Sequence, residues 1–514
     1  MLRQRPPFYP FVIALYPVIA LAAQNTHERV RFNELLVPVG VSLYVALVAW
    51  AMARPLTRDT HRRALLTAVA VLLFCTYGAT LHLIQSRITF VEEWLSLWVV
   101  VGQLLLIGSI VWLIGRLRRD FGALTGYLNT FSVVLILLPF VSMAVPARSV
   151  MIPVLTEETA SAPTEQSSRP DVYVVILDSY NSSKNLLREY AFDNSDFEGE
   201  LKARGFVVPS SARSNYAHTF LALASMLNGR YLDSEIAQVR ASSGNKSLLD
   251  PLIENHLLWR TLDARGYRFV FFPTFYALTA DNHNADVKLP SPSETSSEFG
   301  LVWLRMTPVI PLARSTCRLL RCSLRLFDLT PEPARLIDWK FAQLGSLPTA
   351  DVPTLAFMHL LPPHEPFVYD AECRARDVYW PRAFPARDES KVKAAYVAQL
   401  KCVNKKILGA VDALLSRTNR SAVIVLQADH GYGRLGRGPD SYGRASPEQM
   451  EERTSIFSAY YLPGRPAGLI YDSITPVNAF RAILNHYFGV QTGRVEDRVY
   501  FSTYDTPYDL VRLK

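Results

Sequence analysis

The sequence predicts a bundle of five transmembrane helices followed by an α/β domain with a mostly parallel sheet flanked by helices. The first 147 residues hold five long apolar segments. Arginine gathers in alternate loops between them. Beyond them, three apolar, β-branched runs each lead directly into an Asp or a His. A chain of 514 residues has room for two or three domains.

The apolar segments are Phe8–Ala23, Leu35–Ala53, Ala64–Ile84, Trp94–Ile114 and Leu128–Ala147, and they place the membrane domain at 1–147. A helix needs about 20 apolar residues to cross the hydrocarbon core, a length that four of the five closely reach. The first is shorter and carries Pro10 and Pro17. With Arg3 and Arg5 before it and Ala20-Leu21-Ala22 near its end, it also loosely fits a cleaved signal peptide.

Arg3, Arg5, Arg54, Arg58, Arg62, Arg63, Arg116, Arg118 and Arg119 fall on one side of the spans, and Arg29, Arg31 and Arg87 on the other. The positive-inside rule then puts the N-terminus in the cytoplasm and everything after Ala147 outside. A cleaved first segment leaves that outcome unchanged. The net charge of +8 thus belongs largely to membrane loops. No basic stripe with interleaved aromatics accompanies it, which argues against nucleic acid as a partner. His82 and Gln103 lie in spans without an acidic partner, so interhelical hydrogen bonds fit them better than a transport path.

Residues 148–170, with Glu157, Glu158, Pro153, Pro163 and Pro170, have the composition of a polar tether. The catalytic domain is then 171–514. Of five cysteines, Cys75 lies in a span and suits a packing role. Cys317, Cys322, Cys373 and Cys402 lie beyond it, an even number that suggests two disulfides in an oxidising compartment. Closeness in sequence favours Cys317–Cys322 and Cys373–Cys402. Neither spacing matches a zinc knuckle.

Val172–Leu177 is a continuous apolar run of the kind buried on both faces of a parallel sheet, and it stops at Asp178. Thr354–Leu361 is a second, followed by Pro362-Pro363-His364-Glu365-Pro366-Phe367. Ala422–Leu426 is a third, followed by Gln427-Ala428-Asp429-His430-Gly431. Phe269–Phe272 reads as a further strand, and Lys391–Ser416 and His256–Ala264 read as helices. Open α/β sheets bind ligands beyond the carboxyl ends of their strands. There Asp178 and the Asp429-His430 pair offer two oxygens and a nitrogen to a divalent cation.

Singly, each has a plainer reading: Asp178 as a cap, His364 as a loop residue bonded to backbone, Asp429 as the start of an Asx turn. Ser214-Asn215-Tyr216-Ala217-His218-Thr219 precedes an apolar helical stretch. Thr219 is therefore either a helix N-cap or, beside a metal, a nucleophile with a lowered hydroxyl pKa.

From Asp171 to about Gly489 these motifs together resemble the sulfatase-like branch of the alkaline phosphatase superfamily. They are most similar to lipoteichoic acid synthases and lipid A phosphoethanolamine transferases, which also carry five spans before an external domain. The pieces that match are Val172–Asp178, Thr219 with Leu223–Asn228, Pro363–Phe367 and Asp429-His430-Gly431. The resemblance implies an alkaline-phosphatase-like fold and one divalent metal, Zn²⁺ or Mn²⁺, held by Asp178, Thr219, Asp429 and His430. It implies Thr219 as nucleophile, His364 against the phosphoryl group or a leaving oxygen, and His359 as a further substrate contact.

The implied activity is transfer of a phosphoethanolamine- or phosphoglycerol-type head group from a phospholipid to an envelope glycan or lipid. The alternative is a membrane-anchored phosphodiesterase, phosphatase or sulfatase-like hydrolase with the same site. The implied location is multi-pass in a bacterial inner membrane, with the catalytic domain periplasmic or extracellular. Thr219-Phe220-Leu221-Ala222-Leu223 departs from the C/S-x-P/A-x-R signature of true sulfatases, which disfavours sulfate esters. Phe271–Tyr276 lacks the His, Trp and Arg cluster with which lipoteichoic acid synthases grip glycerol phosphate.

Overall fold

The computed structural model describes residues 6–25, 30, 32–85, 92–117, 120–144, 169–289, 298–320, 334–347, 352–376, 389–433, 445–504 and 506–513. Nearly all of the tether expected at 148–170 lies outside these. The chain forms two compact units, Met1–Arg148 with Thr295–Leu329, and Ser149–Glu294 with Thr330–Lys514.

In the first unit the five expected segments are helices: α1 (Tyr9–Gln24), α2 (Phe32–Met52), α3 (Thr60–Gln85), α4 (Glu92–Arg116) and α5 (Gly122–Ala144). The last four are long and apolar enough to cross a membrane, whereas α1 has 16 residues. It packs against α2, α3 and α5, and Ala14 and Val18 are fully buried. Its N-terminus depends on Asn129 of α5, whose carboxamide oxygen accepts from the N–H groups of Phe8 and Tyr9, both at 3.1 Å. The same side chain donates to Pro6 O at 3.1 Å. Helix ends otherwise leave N–H groups unpaired, and lipid offers them no substitute. Gln103 of α4 donates to Leu73 O of α3 at 3.0 Å, the interhelical bond expected of it. The side chain of His82 lies outside the described residues.

The expected external domain at 171–514 is not one compact unit. Thr295–Leu329 groups with the membrane helices. Helix Glu298–Arg305 buries Phe299 and Trp303 in a cluster with Val18 and Ala22 of α1, bordered by Leu35 and Val39 of α2 and Phe74 of α3. Packing two aromatic side chains against apolar helices outweighs their position between strands of the other unit.

The second unit is a six-stranded sheet in the order β3-β2-β4-β1-β5-β6. Its strands are β1 (Asp171–Leu177), β2 (Arg268–Phe272), β3 (Val287–Lys288), β4 (Thr354–Leu360), β5 (Ala422–Ala428) and β6 (Ser458–Tyr461). All neighbours are parallel except β5 and β6. Alternate residues of β1 feed separate cores. Tyr173, Val175 and Leu177 face the long helix Glu389–Arg417 with Tyr396, Leu400 and Val403. Val172, Val174 and Ile176 face a cluster that includes Phe220 and Leu223 of helix Thr219–Met226 and Phe480 of helix Pro476–Phe488. Burial on both faces explains why β1, β4 and β5 read as predominantly apolar runs.

Register places Leu177 opposite both Leu360 and Ala428. The residues that follow β1, β4 and β5 therefore emerge at one level of one sheet edge. Of the expected disulfides, Cys373–Cys402 is formed and ties the segment after β4 to the long helix. Cys317 is disulfide-bonded as well, and Cys322 lies outside the described residues.

Asn129→Leu leaves two N–H groups of α1 without their acceptor and is expected to cost about 1–3 kcal/mol. Asn129→Asp keeps the acceptor at a helix N-terminus and is expected to retain most of the stability. Thermal unfolding of both variants in detergent measures the difference.

Candidate active site

Each site residue is delivered by the end of a regular element. Asp178 follows β1, and its N–H continues the ladder to Leu360 O at 2.9 Å. Asp429 and His430 follow β5. His364 lies four residues after β4, and its N–H reaches Asp178 O at 3.1 Å. Thr219 opens helix Thr219–Met226, held from behind by the Ser214 N–H on Thr454 O at 2.8 Å and by His218 Nε2 on Ser502 O at 2.9 Å. Gly431 lets the turn after His430 close, since a Cβ there would come within 2.0 Å of Glu452 O and 2.5 Å of Asn181 Oδ1.

One ligand atom from each of Asp178, Asp429 and His430 lies within 4.8 Å of the other two. His430 Nε2 is 3.4 Å from Asp429 Oδ2 and 3.7 Å from Asp178 Oδ1. The Thr219 hydroxyl is 3.1 Å from the same nitrogen. His430 Nδ1 lies 3.0 Å from Gly431 O. A carbonyl only accepts, so Nδ1 carries the hydrogen and the Nε2 lone pair faces the cluster.

Ser179 braces the arrangement. Its N–H donates to Asp429 Oδ1 at 3.1 Å and its hydroxyl donates to Asp178 Oδ1 at 2.9 Å. To do so it adopts a φ of 61°, in the left-handed region that side-chain-bearing residues rarely use.

Electrostatics favours a cation here. Burial, reinforced by the charge of Asp178, pushes the Asp429 carboxyl up to about 7. Burial holds His430 neutral, well below the usual imidazole range. Asp429 Oδ2 is buried without a hydrogen-bond partner. Ligands about 2.0–2.2 Å from a tetrahedral metal lie about 3.3–3.6 Å from one another. The separations of 3.1, 3.4 and 3.7 Å around His430 Nε2 bracket that spacing. Two oxygens, one nitrogen and a hydroxyl thus fit a divalent cation, which would lower the Thr219 hydroxyl pKa.

Asp178, Thr219, Asp429 and His430 lie together at this edge of the sheet. The N-cap position belongs to His218 rather than Thr219, and the Thr219 hydroxyl points to His430. Thr219 and His364 are half-buried, whereas Asp178, Asp429 and His430 are buried, so the hydroxyl lies on the reachable side.

His359 is placed differently from the expected substrate contact. It is fully buried in β4, with Nδ1 2.9 Å from Thr279 Oγ1 and Nε2 3.8 Å from Asp178 Oδ2. Burial, with help from Lys340, pulls its pKa down to about 3. It backs Asp178 as a neutral group.

Sequence reasoning missed Ser179 and Arg453. Arg453, at the end of helix Pro447–Thr454, donates to Ala217 O at 2.8 Å, Gly431 O at 3.2 Å and Tyr432 O at 3.0 Å. Its Nη2 lies 3.0 Å from His430 Nε2. It therefore ties the Thr219 segment to the His430 turn. Nothing around Arg453 in the sequence marks it, because its partners lie 21–236 positions away.

No protein-family model matches the chain, and no curated protein does. Solved structures do. The integral membrane lipooligosaccharide phosphoethanolamine transferase A from Neisseria meningitidis is 13% identical, with 95% of this chain and 96% of that one covered at a TM-score of 0.40. The C-terminal periplasmic domain of EcEptC from Escherichia coli, in complex with zinc, is 13% identical, with 69% and 95% covered at 0.42. The lipoteichoic acid synthase LtaP from Listeria monocytogenes is 11% identical, with 69% and 80% covered at 0.36. Likeness at this level assigns no activity, substrate or metal to this chain.

A cation must displace the proton from Asp429. The folded carboxyl is raised to about 7 from an ordinary value of 3.8, so without a cation this group makes the fold lose stability as pH rises through that interval. Cation affinity runs the other way. It is expected to rise about tenfold per pH unit up to about pH 7 and then level off. Titration calorimetry of the full-length protein with Zn²⁺ or Mn²⁺ at pH 5.5, 6.5 and 7.5 checks it.

Proposed function

We propose that this chain is a metal-dependent enzyme that moves a phospho-alcohol head group, of phosphoethanolamine or phosphoglycerol type, from a phospholipid to an envelope glycan or lipid. Thr219 is its nucleophile. The carrying observation is the hydroxyl of half-buried Thr219, 3.1 Å from His430 Nε2, beside a buried group of two carboxylates and an imidazole. Asp178, Asp429, His430 and Thr219 would hold a divalent cation, Zn²⁺ or Mn²⁺, which would supply hydroxyl activation and stabilisation of phosphoryl charge.

The remaining steps belong to the chain. Thr219 Oγ1 attacks phosphorus while the bond to the diacylglycerol oxygen breaks, leaving a phosphodiester on Thr219. His364 Nδ1 lies 2.5 Å from Glu365 O, so it carries the hydrogen and Nε2 is left as an acceptor. Burial lowers the His364 pKa, which keeps that acceptor neutral at pH 7. In this reading His364 takes the Thr219 proton and returns it to the departing diacylglycerol oxygen. An acceptor hydroxyl then displaces Thr219, and the proton moves the opposite way. The N–H groups opening helix Thr219–Met226 and the guanidinium of Arg453 suit the anionic phosphoryl oxygens.

The membrane-crossing helices support a lipid donor, since they keep the chain in the bilayer that contains it. A hydrolase with water as the final acceptor would use the same residues. An assay with and without a glycan or lipid acceptor separates the two.

Thr219→Ala is expected to abolish turnover with little loss of thermal stability, while Thr219→Ser retains part of the activity. Acid quench after incubation with phospholipid, followed by peptide mapping, is expected to find the phospho-adduct on Thr219. Near-normal turnover in purified Thr219→Ala would eliminate the covalent route.

The arginine asymmetry supports a multi-pass protein of a bacterial inner membrane with the catalytic unit outside the cytoplasm. A reporter that is active only outside the cytoplasm, fused after Lys514, is expected to be active. A silent external reporter, paired with an active cytoplasmic one, would reverse the orientation.

A further inference from the structure

We infer that residues 298–320 form a re-entrant helical hairpin embedded in the lipid leaflet where α1, α3 and α5 end, with a leucine stripe against phospholipid acyl chains. The hairpin consists of helix Glu298–Arg305, a turn at Met306-Thr307-Pro308, and helix Val309–Leu320. Depth is the first ground. Met306 O accepts from the Gly78 N–H at 3.0 Å. Gly78 lies inside the apolar span Thr60–Leu81, seven residues short of the end of α3 at Gln85. At 1.5 Å per residue the turn sits roughly 10 Å below that end. Trp303, fully buried beside Val18 and Ala22, anchors the first helix at the same end of the bundle.

Backbone satisfaction is the second ground. Hydrocarbon tolerates a non-helical turn only where its polar groups are paired within the protein. Here Trp303 O accepts from the Met306 N–H at 3.0 Å, and Leu304 O accepts from the Thr307 N–H at 3.1 Å and the Thr307 hydroxyl at 2.7 Å. Pro308 O accepts from the Leu312 N–H at 3.1 Å. Thr307 and Ile310 are themselves buried.

The outward face is the third. Leu312, Thr316, Leu319 and Leu320 recur at helical spacing and are exposed, Leu319 to 82% and Leu320 to 68%. In water that stripe would be a liability. The helix packs on α4, whose first half carries the likewise exposed Trp98, Val101 and Leu104. The stripe therefore continues a surface that already meets lipid, and acyl chains are its partner. An element that interrupts the catalytic unit's sequence thus gives this chain a membrane attachment beyond its five helices.

The test uses the full-length protein in nanodiscs, with Cys75→Ala as background and Leu319→Cys carrying an environment-sensitive fluorophore. Phosphatidylcholine bearing a nitroxide at acyl carbon 5 is expected to quench at least half of the emission. Aqueous iodide is expected to quench it at least fivefold less than the same label at Lys202→Cys, an exposed site of the catalytic unit. Iodide quenching equal to that at position 202, with no effect of the lipid nitroxide, overturns the proposal. Should Leu319→Cys fail to fold, Leu312→Cys on the same face gives the same reading.

Discussion

Two carboxylates and an imidazole lie buried within one small cluster at the ends of adjacent parallel strands. Asp178 follows β1 and Asp429 follows β5, and register puts both at the same level. Like charges in a dry place repel each other, and the response in this fold is to hold a proton on Asp429 or to bind a cation. Most of the surrounding structure maintains that unfavourable proximity. Ser179 bends into a left-handed conformation to donate to both carboxylates, and Arg453 clamps the turn that carries His430.

The position of the proposed nucleophile is set by the same constraint. Thr219 would be an ordinary first residue of a helix were His430 not held with its Nε2 lone pair toward it. That orientation comes from Nδ1 being committed to Gly431 O, and the turn is possible because Gly431 has no side chain. His359 contributes from beneath, a neutral ring behind Asp178. Thr219 and His364, both half-buried, mark the open side of the cluster.

The membrane unit obeys a different rule, that backbone polar groups in lipid must find partners within the protein. Asn129 supplies two acceptor bonds at the start of α1, and the turn at Met306-Thr307-Pro308 pairs its carbonyls locally and with α3. Both are polar devices in apolar surroundings, and both determine where the chain can leave regular helix.

The sequence by itself determined the last four of the five helices, because the thickness of a bilayer imposes a minimum length on any apolar segment that crosses it. It also determined β1, β4 and β5, because a strand buried on both faces is predominantly apolar. Asp178, Asp429 and His430 were legible because they follow directly on such strands, and Thr219 because it opens an apolar helix. Tertiary structure alone decided that His359 backs Asp178, that Arg453 joins two loops, and that Ser179 adopts a positive φ. Those properties depend on neighbours far away in the chain, which no local periodicity encodes. The hairpin at 298–320 escaped for a related reason. Its helices of 8 and 12 residues are too short to announce a membrane by length, and only packing against α1, α2 and α4 shows where they belong.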